Sequence, residues 1–337
     1  MYGFTILFST ILVSGAGYGL IEQQKQFLLN DRHNEIATIA DLKTSQIVQW
    51  RKERFAEGAS IRSNAMMARR INDYITGNDR VAVRRELQLW MINLIDLGEY
   101  SRGGLFTPNG TVIASDSGLN MPRSEHYLEM IGEAAKEHEL ILSDFHRDRI
   151  DDSYSINLAI PIMHPDDTNS RCVAVLVLDI DPAKHLFPLI QSWPTTSATS
   201  ETLLVRREGD SVLFLNDLRH RKKTATPFLV PLTDKSMPAV RAALGEDRSF
   251  EGFDYRGTAV LSTTRTVPGS RWGLVAKIDT SEVLAPLSKS IWWVTIAGAG
   301  VIISMITGVF LWDIRRKAET LRKLFEIEHK HNLELKK

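Results

Sequence analysis

Asp144, His146, Asp148, Asp151 and Asp152 crowd one short stretch and offer the oxygen and imidazole donors of a divalent-cation site. Their spacing matches neither a zinc motif nor the EF-hand loop, whose ligands end on a bidentate glutamate. The expectation is a solvated charged loop, with no metal and no cofactor. His146-Arg147-Asp148 has the order of a protein-kinase catalytic loop. However, Ser153 stands where that loop needs asparagine, and no glycine-rich phosphate loop precedes it. Arg206, Arg207, Arg219, His220, Arg221, Lys222 and Lys223 form a basic stretch, expected to be a solvated hairpin end. Contact with an anionic lipid or anionic partner is the sharper alternative. The single cysteine, Cys172, lies in an apolar run and reads as a small buried hydrophobe. No nucleophile–base pairing or paired carboxylates in a cleft can be read from the sequence, and no nucleotide-binding glycine motif. His329 and His331 lack the flanks of a phosphoacceptor box. With 41 basic and 41 acidic side chains, nothing points to a nucleic-acid partner.

The elements that would position any site begin with two uncharged segments. Met1 to Ile21 and Ile291 to Trp312 carry no charge, and each is long enough to cross a hydrocarbon core of roughly 30 Å. Trp292, Trp293 and Trp312 lie at the ends of the second, where aromatic rings favour the interface. The first lacks a basic leader region, and Gly15-Ala16-Gly17 is a weak cleavage signal, so it is expected to be retained as a helix. Arg315, Arg316, Lys317, Arg322 and Lys323 follow the second segment directly and mark the cytoplasmic side. Residues 22–290 are then extracytoplasmic, periplasmic in a Gram-negative cell, and the protein is multi-pass in the inner membrane.

Residues 22–76 read as a long stalk helix. Leu29, Ile36, Ile39, Ala40, Ile47, Trp50 and Ile61 form one stripe at about 100° per residue, and Asp31, Asn34, Asp41, Ser45, Gln49 and Lys52 lie opposite. Arg32, Lys43 and Arg54 interrupt the stripe and are expected to run their stems along it while their charges reach water. Such a stripe must pack on a helix, a sheet or a second copy, which makes a homodimer an expectation. A helix over 79–97 follows. A hairpin turns at Asn109-Gly110, and a helix covers 123–138. Strands cover 139–145, 154–163 and 171–180. The scheme then repeats: strands 201–207 and 211–216 around Gly209, a helix over 236–244, and strands 250–255, 258–267 and 273–278. Each module reads hairpin, helix, three strands, an α+β layout without βαβ alternation. The tail 313–337 is helical but not a strict heptad, and is expected to be a cytoplasmic signalling helix leading to a downstream PAS or kinase module.

This order resembles a double Cache sensor region, two tandem PAS-like antiparallel sheets along a long N-terminal helix. Strings similar to input regions of bacterial PAS-containing sensor histidine kinases are Gln46 to Arg54, Leu142 to Arg147, Ile190 to Pro194, Glu201 to His220, Asp254 to Gly257 and Val275 to Asp279. The resemblance implies a membrane-distal unit over 77–185, a membrane-proximal unit over 186–287, and a second membrane helix over 288–312. It places the ligand in the distal unit and so implicates Arg123, His126, Tyr127, Asp144, His146, Arg147, Tyr154 and Asn157. Arginine offers a fork to a carboxylate, so the expected ligand is small and polar or anionic. The tyrosine, arginine, tryptophan and aspartate signature of the amino-acid-binding version does not map cleanly here. The implied function is small-molecule sensing as the input of a histidine kinase in a two-component system. A chemoreceptor or diguanylate cyclase input is the alternative, and an exported scaffold or enzyme the rival class. A phosphatase reporter fused near residue 200 should be active outside the cytoplasm; a reporter active only in the cytosol would overturn the topology.

Overall fold

The computed structural model describes residues 2–77, 80–98, 100–116, 125–147, 154–164, 166, 171–221 and 228–334. It falls into two compact units, one of residues 1–32 with 280–337 and one of residues 33–279.

In the first unit, the start of helix α1 (Tyr2–Arg62) lies against helix α7 (Thr280–Glu334). Gln24 Nε2 donates to Ser290 Oγ at 2.9 Å. A Cβ on Gly17 would sit 3.2 Å from Val294, and one on Gly298 would sit 3.6 Å from Val13. The paired numbers rise on one helix and fall on the other, so the pair is antiparallel, with small residues letting the backbones approach. Among the described residues, Thr280–Glu326 is the helix long and apolar enough to cross a bilayer.

The second unit contains the rest of α1 and two sheets. The predicted long helix breaks at Ser63, and α2 (Ala65–Thr76) starts afresh. The cause is Asn64, whose side chain accepts from Met67 N at 3.1 Å and caps the new helix. Ile36, Ile39, Ala40, Ile47 and Trp50 are buried, as the stripe requires, and Asp41, Ser45, Gln49 and Lys52 are exposed. Two expectations fail here, because Lys43 and Arg54 do not reach water. Lys43 Nζ donates to Leu189 O at 2.7 Å and Ser192 Oγ at 2.8 Å. Arg54 pairs with Glu57 at 2.8 Å and faces the Tyr100 ring. Lys43 finds its partners in a distant segment, and Arg54 in the next turn of its own helix and in the Tyr100 ring.

Helix α3 (Arg80–Leu97) leads into the first sheet. Its strands are β1 (Tyr100–Phe106), β2 (Val112–Ser115), β3 (Ile141–Leu142), β4 (His146–Arg147), β5 (Tyr154–Met163) and β6 (Cys172–Ile180). The order is β2-β1-β6-β5-β3, with β4 also pairing β5, all antiparallel. Gly110, at φ 81°, makes the predicted turn between β1 and β2. The strand expected over 139–145 is shortened to β3, because Asp144 and Phe145 leave the sheet, and β4 follows them; Ser143 N still donates to Asn157 O at 2.8 Å. Helix α4 (Glu125–Glu137) buries Tyr127, Met130, Ile131 and Ala134, at helical spacing, against β5 and β6. Cys172 is buried as expected, and burial pushes its thiol pKa up to about 11.

The second sheet joins β7 (Glu201–Glu208), β8 (Ser211–Phe214), β9 (Leu229–Pro231), β10 (Ser249–Phe253), β11 (Ala259–Thr266) and β12 (Trp272–Asp279) in the order β10-β11-β12-β7-β8-β9. It repeats the first sheet's path and adds β9 at the edge; β9 and the short helix α5 (Leu186–Gln191) were not foreseen in the sequence. Helix α6 (Pro238–Ala243) covers Leu203, Val205 and Val275.

Lys277, on the central strand β12, is fully buried. It meets Glu201 at 2.9 Å and Asp254 at 2.6 Å, and Arg256 joins Asp254 at 2.7 Å. Burial alone would raise the Asp254 pKa, but Lys277 and Arg256 outweigh it and hold the carboxyl below its usual 3.8. A depressed carboxyl adds stability above its unfolded pKa and loses it as pH falls through the folded value. Lys277→Met should therefore destabilise the protein by about 3–5 kcal/mol in urea unfolding at neutral pH, because two buried carboxylates lose their partner. The deficit should shrink in strong acid.

Candidate ligand-binding site

The register of the first sheet sets Asp179 of β6 between Arg102 of β1 and Asn157 of β5. Helix α4 lies over the same strands and brings Tyr127 to the carboxylate. Asp179 is 2% exposed, so its charge depends on these neighbours. The Tyr127 hydroxyl donates to Oδ1, Asn157 Nδ2 donates to Oδ1 at 2.6 Å, and Arg102 Nε lies 3.2 Å from Oδ2. Burial raises the Asp179 pKa, against the lowering effect of Tyr127, Arg102 and Asn157. Burial likewise holds the Tyr127 hydroxyl well above its ordinary pKa, and Asp179 adds to that. Tyr127 therefore stays a neutral donor.

Asn157 is fixed from both sides. Its backbone N–H donates to Ser143 Oγ at 2.8 Å, and its amide nitrogen is committed to Asp179. A carboxylate can only accept, which settles the orientation of the amide. Asn157 Oδ1 is left buried without a hydrogen-bond partner among the described residues. Beside this cluster the His126 and His146 rings lie 5.0 Å apart. Burial lowers the His146 pKa, and His126 lowers it further against the opposing Asp144 contacts. The His146 ring is then neutral and able to accept or donate at neutral pH. The arrangement presents a buried carboxylate, an unpaired amide oxygen and two imidazoles, which suits a small ligand rich in donors.

Of the residues implicated by the sequence, the fold gathers His126, Tyr127, His146 and Asn157 around α4 and β5. Arg147 and Tyr154 pair across β4 and β5, with the guanidinium 5.9 Å from the ring. Arg123 lies outside the described residues, as do Asp148, Asp151 and Asp152. Asp144 faces elsewhere, toward the second sheet. It accepts from Trp272 Nε1 at 2.6 Å and pairs with Arg206 at 2.9 Å and Arg271 at 3.2 Å. Phe145 stacks on Phe187 and lies 4.8 Å from the Trp272 ring, and the Arg51 guanidinium of α1 lies over that ring, 5.1 Å from its centroid. Arg206 is thus no solvated hairpin end, since its guanidinium also donates to Phe145 O at 3.0 Å. Sequence reasoning missed Asp179 and Arg102. The available signal was a lone aspartate inside an otherwise apolar strand.

No family model and no curated protein matches the chain. Solved structures do resemble it. The ligand-binding domain of the Campylobacter jejuni chemoreceptor Tlp3, solved with L-norvaline, aligns over 76% of this chain and 94% of that one, with 14% identity and a TM-score of 0.53. The ligand-binding domain of the Pseudomonas aeruginosa PAO1 amino acid chemoreceptor PctC, solved with GABA, aligns over 74% of this chain and 100% of that one, with 15% identity and a TM-score of 0.50. At this identity the likeness establishes a shared fold.

A carboxyl whose pKa is raised by folding favours the folded state below its unfolded value of 3.8 and loses that contribution as pH rises through the folded value. Asp179→Asn removes this titration. The variant should lose less stability than the parent between about pH 4 and pH 7, measured by thermal unfolding across that range. An unchanged pH profile would mean that Asp179 is not buried as described.

Proposed function

We propose that this chain is the extracytoplasmic input region of a membrane-anchored sensor, and that its first module binds a small amine-bearing ligand of the amino-acid type. The carrying observation is the buried Asp179 carboxylate beside the unpartnered Asn157 Oδ1. An ammonium group donates in three directions, and both oxygens accept. Such a ligand would join Arg102 at Asp179 Oδ2, while Tyr127 and Asn157 keep Oδ1 in place. The shared fold supports sensing, since the similar structures are ligand-binding domains solved with L-norvaline and GABA. The expected polar or anionic ligand narrows, on this reading, to one with a cationic end.

Helices α1 and α7 would carry the module through the inner membrane, as the uncharged segments 1–21 and 291–312 suggest. Their antiparallel contact at Gly17 and Gly298 supports a two-helix span. Ligand binding can bias output only by its different affinity for two conformations, and α7 is the element that would report the shift. Chemoreceptor input fits the similar structures, and histidine-kinase input fits the strings from Gln46 to Asp279; the site is common to both. The apolar stripe of α1 is covered within one chain, so pairing of two copies has to use another face of that helix.

Isothermal titration of the full chain in detergent against the twenty amino acids and GABA tests the reading. At least one should bind, and Asp179→Asn should weaken it by roughly 10- to 150-fold, the loss of one charge-assisted bond. Absence of binding across the panel, or equal affinity in the variant, would remove the assignment.

A further inference from the structure

The two modules are not equivalent in charge. By strand register, Lys277 occupies in the second sheet the place of Asp179 in the first, Glu201 that of Arg102, and Ser262 that of Asn157. The second module satisfies its own central charge, with Lys277 held by Glu201 and Asp254. The position matching the first site is thus filled by the protein's own ion pairs.

A separate cavity of about 760 Å³ opens at the end of this sheet, between the linker after α5 and the loop after β8. That is within the usual range of small-molecule sites, roughly 300–1,000 Å³. Its lining includes Trp193, Ser200, Glu201, Thr202, Asp217 and Arg219. Ser200 and Thr202 are each 1% exposed, and their hydroxyls have no hydrogen-bond partner among the described residues. Buried hydroxyls are normally paired, so two orphans at one cavity mark where a bound group would supply the partner. Arg219 is held in place by carbonyls, with Nη1 donating to Ser200 O at 2.7 Å and Nη2 to Ser197 O at 3.3 Å. It has no carboxylate partner among the described residues, so its positive charge can serve a ligand. Glu201 does not oppose an anion there. Its carboxylate already faces Lys277 and accepts from the Tyr255 hydroxyl at 3.1 Å and from Arg219 N at 2.6 Å. Asp217 supplies the opposite charge on the same lining, next to the aromatic face of Trp193.

We infer that the second module holds its own binding site for a small zwitterion, with the carboxylate on Arg219, the ammonium toward Asp217 and Trp193, and polar atoms on Ser200 and Thr202. The site is wired to the stalk helix. Trp193 Nε1 donates to Thr195 Oγ1 at 3.1 Å, and that hydroxyl donates to Glu35 of α1 at 3.2 Å. Occupancy would therefore bear on the helix that both modules share.

The test is titration calorimetry of the full chain in detergent with GABA, β-alanine and L-serine, in the Asp179→Asn background that weakens the first site. At least one probe should still bind. Adding Ser200→Ala and Thr202→Val should weaken that binding tenfold or more, while the melting temperature without ligand stays level or rises, because two unpaired buried hydroxyls are removed. n-Butylamine, which lacks the carboxylate, should not bind. If Asp179→Asn alone abolishes all binding seen in the parent chain, the second site is overturned and the first stands. Affinity unmoved by the hydroxyl substitutions, or n-butylamine binding as tightly as GABA, overturns it equally.

Discussion

An ionisable side chain on the central strand of a sheet has no water to solvate it, and the rest of the architecture is arranged around that constraint. In each module the last strand returns to the middle, so β6 and β12 are flanked on both sides. Asp179 and Lys277 sit on these strands, 2% and 0% exposed. Each must find its compensation from neighbouring strands and from the segment that covers the sheet. The two modules meet this demand differently. The second closes a network of fixed charges from Glu201, Asp254 and Arg256 around Lys277. The first surrounds Asp179 with neutral donors and one half-exposed arginine, and leaves Asn157 Oδ1 without a donor. A closed network makes a rigid support, whereas an incomplete one leaves interaction free energy for a ligand to supply.

The junction between the sheets follows the same physics on a smaller scale. Asp144 and Phe145 leave the first sheet and carry a carboxylate and an aromatic ring to the second. Asp144 gathers Trp272, Arg206 and Arg271, while Phe145 packs between Phe187 and Trp272. His146, one residue farther along, already belongs to the polar cluster under α4. A displacement at the Asp179 cluster is thus one peptide step from the contact between modules. Arg51 of α1 over the Trp272 ring adds the stalk to the same point. Packed contacts of this kind have discrete arrangements rather than continuous ones.

Much of the architecture was legible in the sequence because it is encoded by local periodicity. The stripe Ile36, Ile39, Ala40, Ile47 and Trp50 needed only a 3.6-residue repeat, and β5 was bounded at both ends by its pattern. The internal repeat followed from element order alone. Local errors had local causes: Asn64 recapped the long helix, and the departure of Asp144 and Phe145 cut one strand short. Short elements such as α5 and β9 carry too few residues for any period to register.

The site was legible only in part. His126, Tyr127 and Asn157 could be placed from their neighbourhood in the chain and the resemblance it carries. Asp179 and Arg102 could not, since their meeting depends on the register between β1 and β6, strands separated by a helix and four further strands. Lys43 was misjudged for the same reason, since Leu189 and Ser192 are distant in the chain, and the Tyr100 ring that covers Arg54 is distant too. By itself the sequence determined the uncharged segments, the stalk and the repeated α+β module, because each depends on spacing along one stretch of chain. Only the tertiary structure decided which polar groups share a buried space, because burial and partnership arise from strand register, which brings together residues that are far apart in the sequence.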